Sequence, residues 1–218
     1  MDVRDLYGEV IRVVRSCSDE RMSYALIRAA RYFCAQTWYL RRQQSFSCVV
    51  GQPTYPVIPP PNEACFAIKH AQLQQLSPGN TWVPLRFVYP TFVNPNFNNS
   101  QPQAIAFIPY TQAQLFPTTD NTYPVLLELI TQPILEGNYI PDELGQEWDQ
   151  TLGYGALAWL LRQPGNPWLD LQGAKEYDML FKQDIVRARI KAAYDFTPNN
   201  KAWISPGFIR GGGYGGAW

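Results

Sequence analysis

The side chains best placed for acid–base chemistry are four acids near the start of a predicted C-terminal helix: Asp142, Glu143, Glu147 and Asp149. Two neighbouring carboxylates can serve a hydrolase as its acid and its base or nucleophile. Acids in the first turns of a helix also match the positive end of the helix dipole while they stay solvated. Because Pro141 fits the first helical position, we interpret the four acids as a helix N-terminus and not as a catalytic pair.

The chain has four cysteines, Cys17, Cys34, Cys48 and Cys65, and one histidine, His70. Cys34 and His70 could be drawn as nucleophile and base, but Cys34 falls within a predicted helix and no orienting third group is indicated. The cysteines lack the paired spacing of a zinc site. We expect them to be small buried residues in a reducing compartment.

Other catalytic motifs are also missing from the sequence. It contains neither a phosphate-binding glycine loop followed by Lys and Ser/Thr nor a His-Glu-x-x-His segment. The sequence therefore predicts a protein that is not an enzyme, with no catalytic residues, no metal ligands and no cofactor.

Composition favours a packed protein with part of its surface covered by partners. Of 218 residues, 46% are hydrophobic and 14% aromatic, whereas only 17% are charged, below the usual quarter or so. The net charge of zero provides no overall basic field for nucleic acid or an anionic membrane. We expect no membrane segment and no signal peptide, since no apolar run approaches the roughly 20 residues of a membrane span.

Charge is unevenly distributed along the chain. Residues 1–45 carry eight arginines and five acids, whereas residues 46–140 carry only two bases and four acids. A surface so poor in charge usually needs neighbouring proteins to keep it from aggregating.

Two helices joined by a proline-containing turn at 163–168 are predicted over 141–192. Spacings of three and four residues give each helix one apolar face. Two glycines thin the first helix at a cost of about 1 kcal/mol each relative to alanine, so packing against a neighbour must supply stability. We predict that packing between subunits uses Trp148, Gly155, Trp159, Tyr177 and Phe181.

The remainder divides into an N-terminal helical part and a β-rich part. Two helices are predicted within the first forty residues. Between residues 45 and 133 no helical stripe persists, and fourteen of the nineteen prolines lie between Pro53 and Pro133. Strands are predicted at 46–50, 64–73, 82–87, 104–108 and 125–130, with a hairpin turn at 78–80 and a long polar loop at 92–102.

These elements predict an α+β fold. We expect the N- and C-terminal helices, 1–44 and 134–196, to form one helical bundle, because each set alone buries too little surface. Residues 45–133 would form an inserted small antiparallel β domain. Residues 197–218 would form an extended C-terminal arm.

Large apolar side chains alternate with six glycines in that arm. Glycine-rich spacing disfavours regular structure, and exposed aromatic side chains are costly in water, so we expect the arm to become ordered against a partner. The predicted partner-binding residues are Trp203, Phe208, Ile209, Arg210, Tyr214 and Trp218.

In their order, these pieces resemble the head–tail adaptor (connector) proteins of tailed bacteriophages, especially those of short-tailed phages. The N-terminal match is YALIRAARYFCAQTW at 24–38, followed by VVGQPTYPV at 49–57. The C-terminal match consists of PDEL at 141–144, GYGALAWLL at 153–161, PGNPW at 164–168 and AKEY at 174–177, leading into Phe181 and the basic helix end at 187–191. The resemblance covers about the first sixty residues and 125–195. The segment 60–124 matches only in general character.

The resemblance implies a structural virion protein at the head–tail junction, assembled in the cytoplasm of the host bacterium. Its partners would be the portal protein, the tail nozzle or tail-tube protein, and further copies of itself in a ring, commonly a dodecamer. DNA would pass through the ring without sequence-specific binding.

Two alternatives stay open. In the first, the chain is a tail-tube or nozzle subunit instead of the adaptor. In the second, it is a carbohydrate- or receptor-binding module in which aromatic side chains and the Asn-rich loop at 92–102 contact sugars. The second alternative fits the helices less well, since such modules are usually wholly β.

Overall fold

The structure, a computed structural model, describes residues 1–76, 80–89, 99–108 and 111–194. Within these ranges the chain forms five α-helices and two four-stranded sheets. The helices are α1 (Tyr7–Val13), α2 (Asp19–Thr37), α3 (Asp142–Glu147), α4 (Asp149–Leu160) and α5 (Leu171–Ala193). The strands are β1 (Arg41–Ser47), β2 (Thr54–Pro56), β3 (Glu63–Gln74), β4 (Trp82–Pro84), β5 (Arg86–Phe87), β6 (Ala104–Ile108), β7 (Gln112–Phe116) and β8 (Pro124–Pro133).

Helix α2 connects the N-terminal helical part directly to the first sheet. Its buried stripe includes Met22, Leu26 and Phe33, at the spacings of one helix face. The helix ends at Trp38, whose φ of 55° is the left-handed conformation typical of a helix C-terminus. Strand β1 begins only three residues later, at Arg41, so the position of α2 sets where the sheet starts.

The predicted C-terminal hairpin has one more helix than expected. A break at Trp148 (φ −126°, ψ 23°) separates α3 from α4. The turn between α4 and α5 contains Gly165, whose φ of +79° strongly favours glycine. Asp170 then caps α5 by accepting hydrogen bonds from the backbone N–H groups of Gln172 and Gly173 at 3.0 and 2.9 Å.

The first sheet has the strand order β1-β8-β3-β4 and is antiparallel throughout. Its two longest strands, β3 and β8, pair from Glu63 opposite Pro133 to Leu73 opposite Val125. The second sheet has the order β2-β7-β6-β5, and its β5–β6 pair is parallel. Apolar residues of both sheets, such as Leu127 and Leu115, share one buried cluster.

The predicted fold class is wrong in its architecture. The chain is mixed α+β, but it is not a helical bundle carrying one small antiparallel insert, because it contains two four-stranded sheets and one sheet includes a parallel pair. The helices are also tied to the first sheet, where the Arg31 guanidinium donates a hydrogen bond of 2.8 Å to the carbonyl of Pro133.

The physical reason is that helical periodicity identifies which residues share a face but not what that face packs against. Short strands interrupted by proline contain too few alternating polar and apolar residues for the strand pattern to be recognised in the sequence. Strands β2 and β7 had no counterpart among the predicted strands, and β1 begins five residues earlier than its predicted start.

The hairpin formed by β3 and β4 agrees with the prediction, with Gln74 opposite Trp82. Of its predicted turn, only Asn80 is described, and it has a positive φ of 49°. Most of the polar loop at 92–102 and the whole arm at 197–218 lie outside the described residues.

Substitutions at two glycines of α4 should change stability in opposite directions. A Cβ at Gly155 would lie 2.8 Å from the Cβ of Ala29 and 2.9 Å from Cζ of Phe181, whereas a Cβ at Gly153 would meet only the Cβ of Glu9, at 3.4 Å. Overpacking costs about 1–3 kcal/mol, and replacing a helical glycine by alanine gains about 1 kcal/mol. We expect Gly155→Ala to lower the free energy of unfolding by about 1 kcal/mol and Gly153→Ala to raise it by a similar amount, as measured by urea titration. Equal shifts in the two variants would contradict the close packing at Gly155.

Candidate interaction site

Residues predicted to pack between subunits lie in or against the chain's own helical core. Gly155 and Phe181 are buried where α4 meets α2 and α5. The ring of Trp148 lies 5.3 Å from that of Phe33, and the ring of Tyr177 lies 5.9 Å from that of Tyr154, both between centroids. The small-residue face of α4 is thus occupied within one chain, and a role of these residues between subunits stays a prediction.

A groove of about 320 Å³ opens beside this core, between α2, α4 and α5. We call it the helical groove. Small residues form its floor: Ala25, Ala29, Gly155 and Ala158. Three aromatic side chains form its walls: Tyr32, Trp159 and Phe181. The ring centroids of Tyr32 and Phe181 lie 5.9 Å apart, so these two walls contact each other, and of the pair Tyr32 is exposed whereas Phe181 is buried.

Charged side chains form the rim of the helical groove. The Arg28 guanidinium lies 5.6 Å from the ring centre of Trp159, within the range of a cation–π contact. Asp178 accepts a hydrogen bond of 2.8 Å from Lys182 and lies 3.2 Å from Arg162. Because Lys182 and then Arg162 stabilise the carboxylate, the pKa of Asp178 is lowered. Three cations against one carboxylate leave the rim positively charged.

The side of α5 facing away from the core is also apolar. Met179, Val186 and Ile190 are exposed at 55%, 54% and 50%. Their spacings of seven and four residues place them on one face, which we call the outer stripe. The opposite face carries the buried Phe181 and Ile185. Sequence reasoning missed the outer stripe, although its spacing was readable.

An ion cluster ties the helical part to the first sheet. Arg42 of β1 donates hydrogen bonds of 2.7 and 3.0 Å to Glu63 of β3 and one of 2.9 Å to Glu143 of α3. The hydroxyl of Thr131 donates a further bond of 2.6 Å to Glu63, whose side chain is only 3% exposed. The hydrogen bonds to Glu63, ahead of those to Glu143, raise the pKa of Arg42 despite its partial burial. The buried Glu63 is thus paired with a partly buried arginine and is hydrogen-bonded by both Arg42 and Thr131.

A second set of contacts joins the C-terminal end of α5 to the same junction. Lys191 and the hydroxyl of Tyr39 both donate to the carboxylate of Glu147, and Arg41 donates to the carbonyl of Ala192. Burial, and then the hydrogen bond to Glu147, raises the pKa of Tyr39 to about 12. Burial alone would raise the pKa of Glu147, but its hydrogen bonds with Lys191 and Tyr39 outweigh that effect and lower it.

The residues considered for catalysis have structural partners instead. Asp142 pairs with the N-terminal amine at 2.5 Å, and Asp149 accepts a bond of 2.7 Å from the N–H of Gln150. Cys34 is fully buried in α2, where burial raises the pKa of its thiol. His70 is largely exposed and lies 3.8 Å from Glu128. Burial of this kind disfavours the thiolate form that a nucleophilic cysteine requires.

All four cysteines are buried and free, which confirms the expectation that they are small core residues. Nowhere in the described part of the chain do three His, Cys, Asp or Glu side chains come together as a metal site requires. None of the helices in the described ranges combines the length and hydropathy needed to cross a bilayer. The predicted partner-binding residues of the arm, from Trp203 to Trp218, lie outside the described residues.

Comparison of the sequence with models of known protein families gave no match, and comparison with curated proteins gave none either.

The two carboxylates that bind Arg42 should differ greatly in their effect on stability. Glu63→Gln keeps the side-chain shape but leaves the Arg42 charge without its buried partner, so we expect the free energy of unfolding to fall by about 3 kcal/mol. Glu143 is 53% exposed, and its replacement by Gln should cost less than about 1 kcal/mol. Chemical denaturation followed by circular dichroism measures both. Similar losses in the two variants would show that Glu63 is not the anchor of the cluster.

Proposed function

We propose that this chain is a structural subunit of a phage virion, a head-to-tail adaptor that forms a ring between the portal and the tail nozzle or tail tube and continues the DNA channel. The observation that carries the proposal is that α5 has apolar residues on two opposite faces. One face packs in the helical core, while Met179, Val186 and Ile190 form an outer stripe that is half exposed. A surface helix normally has a single apolar stripe. The outer stripe is therefore available for a partner protein.

A ring needs the kind of contact that this helix offers. In a cyclic assembly each subunit uses two different surfaces, one for each neighbour. In this proposal the outer stripe of one copy packs against a different surface of the next copy. Helix α5 is long enough for this role, since 23 residues span about 35 Å at 1.5 Å per residue. The helix thereby becomes part of the ring wall.

The low charge of the β-rich part suits the passage of DNA. Tight phosphate contacts would slow a moving duplex, so a channel lining needs few strong cationic anchors. Residues 46–140 contain only two bases, Lys69 and Arg86. The Lys69 amine lies 3.7 Å from the Glu128 carboxylate, and this negative neighbour weakens the attraction of Lys69 for a passing phosphate. The proposal places this part of the chain nearest the channel.

The arm at 197–218 completes the proposal. Its apolar residues and its lack of acids suit docking on the portal or on an adjacent subunit. A tail-tube or nozzle subunit would use the same outer stripe for self-association, and it would differ in binding tail proteins but not the portal.

A sugar-binding module is the second candidate, and one observation favours it. Trp82 of β4 and Phe87 of β5 are exposed, and aromatic side chains of this kind can stack on sugar rings. Binding to a glycan array, together with failure to bind portal protein, would support this candidate over the adaptor.

The outer stripe should control assembly without controlling folding. We expect the double variant Val186→Glu/Ile190→Glu to remain folded, because both side chains are exposed, and to lose ring formation when cognate portal protein is added. Analytical ultracentrifugation of the mixture measures how much of the protein sediments as a ring-sized complex. The matched control Val186→Ile/Ile190→Val keeps the stripe apolar and should assemble normally. Normal assembly by the glutamate variant would rule out this stripe as the ring contact.

The arm should be needed for assembly as well. Deletion of residues 203–218 is expected to leave a folded protein, judged by an unchanged helical circular dichroism signal, that no longer assembles with the portal. Since the outer stripe is intact in this variant, the loss would be assigned to the arm. Rings of normal size and yield from the truncated chain would contradict this role.

A further inference from the structure

We propose that the helical groove of one copy binds the turn at Leu135 and Glu136 of the neighbouring copy. This turn follows strand β8, and we call residues 134–138 the β8 turn. The Leu135 side chain would pack on the apolar floor of the groove, and the Glu136 carboxylate would lie at its cationic rim. The inference rests on the proposed ring, since it names two surfaces that meet between neighbouring subunits.

The helical groove suits an apolar side chain that is accompanied by an anion. Its floor contains no residue larger than alanine, so a branched aliphatic side chain has room above it. The Arg28 guanidinium contacts the Trp159 ring but has no carboxylate partner among the described residues, and Lys182 and Arg162 share the one carboxylate of Asp178. A carboxylate that arrives beside an apolar anchor would therefore balance the charge of the rim.

Acids that lie next to an exposed apolar residue differ in whether they already have a partner. Among the described residues, three sites place an exposed large apolar side chain next to an acid in the sequence: Leu135 beside Glu136, Leu169 and Leu171 on either side of Asp170, and Met179 beside Asp178. Asp170 caps α5, and Asp178 is held by two cations of the rim. Glu136 has no hydrogen-bond or ion-pair partner in the part of the chain that the structure describes. Its carboxylate is therefore available to a second molecule.

Hydrogen bonds on both sides hold the β8 turn in place. The backbone N–H of Ile134 donates to the carbonyl of Asn62 at 3.0 Å, and the N–H of Val3 donates to the carbonyl of Asn138 at 3.0 Å. Leu135 lies between these two bonds and is 42% exposed. Because the turn is already ordered, its binding costs less conformational entropy than the binding of a mobile loop.

Helix α2 separates the β8 turn from the groove, so one copy cannot bring the two together. On α2 the groove is lined by residues of one face: Ala25, Arg28, Ala29 and Tyr32. The space beside the β8 turn is lined by α2 residues of another face: Asp19, Glu20, Ser23, Tyr24 and Ile27. At 3.6 residues per turn, the centres of these two sets are about 150° apart around the helix axis. A contact between two such surfaces is heterologous, and its repetition gives a ring when the rotation closes.

The groove lies beside the outer stripe on α5. Lys182 at the rim is three residues from Met179 and four from Val186, so the three side chains are neighbours on the helix surface. The groove and the outer stripe would therefore face the same neighbouring copy. The β8 turn, on the far side of α2, supplies the different second surface that each subunit of a ring requires.

Charge reversal at the two surfaces tests the contact. We expect Glu136→Arg and Arg28→Glu each to raise the subunit concentration needed for half-maximal ring formation on portal protein by at least about tenfold, because each variant brings like charges together. The double variant restores a pair of opposite charges and should recover most of that loss. Sedimentation of chain–portal mixtures over a concentration series measures assembly, and circular dichroism checks that each variant is folded.

A matched control makes the same charge change elsewhere. Arg86 is exposed on β5 of the second sheet and lines neither surface. We expect Arg86→Glu to form rings at the same concentration as the unchanged chain. A loss in this control as large as that in Arg28→Glu would overturn the contact, because the effect would then not depend on the groove.

The remaining outcomes separate this contact from the ring itself. Absence of rings from the unchanged chain would reject the adaptor proposal, and this contact with it. Rings from the unchanged chain together with normal assembly by Glu136→Arg would overturn the contact alone. A loss confined to Arg28→Glu would show that the groove binds the portal or another partner, which also overturns it. The contact is overturned as well if the folded double variant assembles no better than the single variants.

Discussion

Three helices meet at Gly155 with no room for a methyl group, and the organisation of the helical part depends on that close approach. Helix α4 can contact both Ala29 of α2 and Phe181 of α5 only because Gly155 has no side chain. The glycine weakens helix propensity locally, and the packing of two neighbouring helices compensates for it. Gly155 also lines the helical groove, which remains open beside this contact. The same glycine therefore contributes both to the packing of the three helices and to the groove.

The ion cluster around Arg42 performs a different task, because it joins two separate apolar cores. One core is built by the helices and the other by the two sheets. Arg42 connects β1, β3 and α3 through Glu63 and Glu143, and the contacts of Glu147 extend the connection to the C-terminal end of α5. Hydrogen-bonded charges specify geometry more strictly than apolar contacts do, because a buried charge that loses its partner destabilises the folded protein strongly. The cluster fixes how the helices sit on the first sheet.

Helix α5 links this internal architecture to the proposed role in a ring. Its inner face and its two ends are held by the core and by the junction, so the outer stripe is presented on a rigid element. Preorganised apolar surfaces lose less conformational entropy on association than mobile ones. A chain with few surface charges and an apolar outer stripe gains solubility when neighbours cover that stripe. The adaptor proposal accounts for both features together.

Local physics explains which parts of the fold were predictable. Helix faces such as Met22–Leu26–Phe33 repeat at 3.6 residues, and turn residues such as Gly165 have strong conformational preferences, so the sequence by itself determined where the main helices and the α4–α5 turn form. Only the tertiary structure decided that the small-residue face of α4 packs inside its own chain, that β2 and β7 complete a second sheet, and that Arg42 meets Glu63. Those contacts join residues far apart in the chain, and their energies depend on burial, which no local pattern encodes.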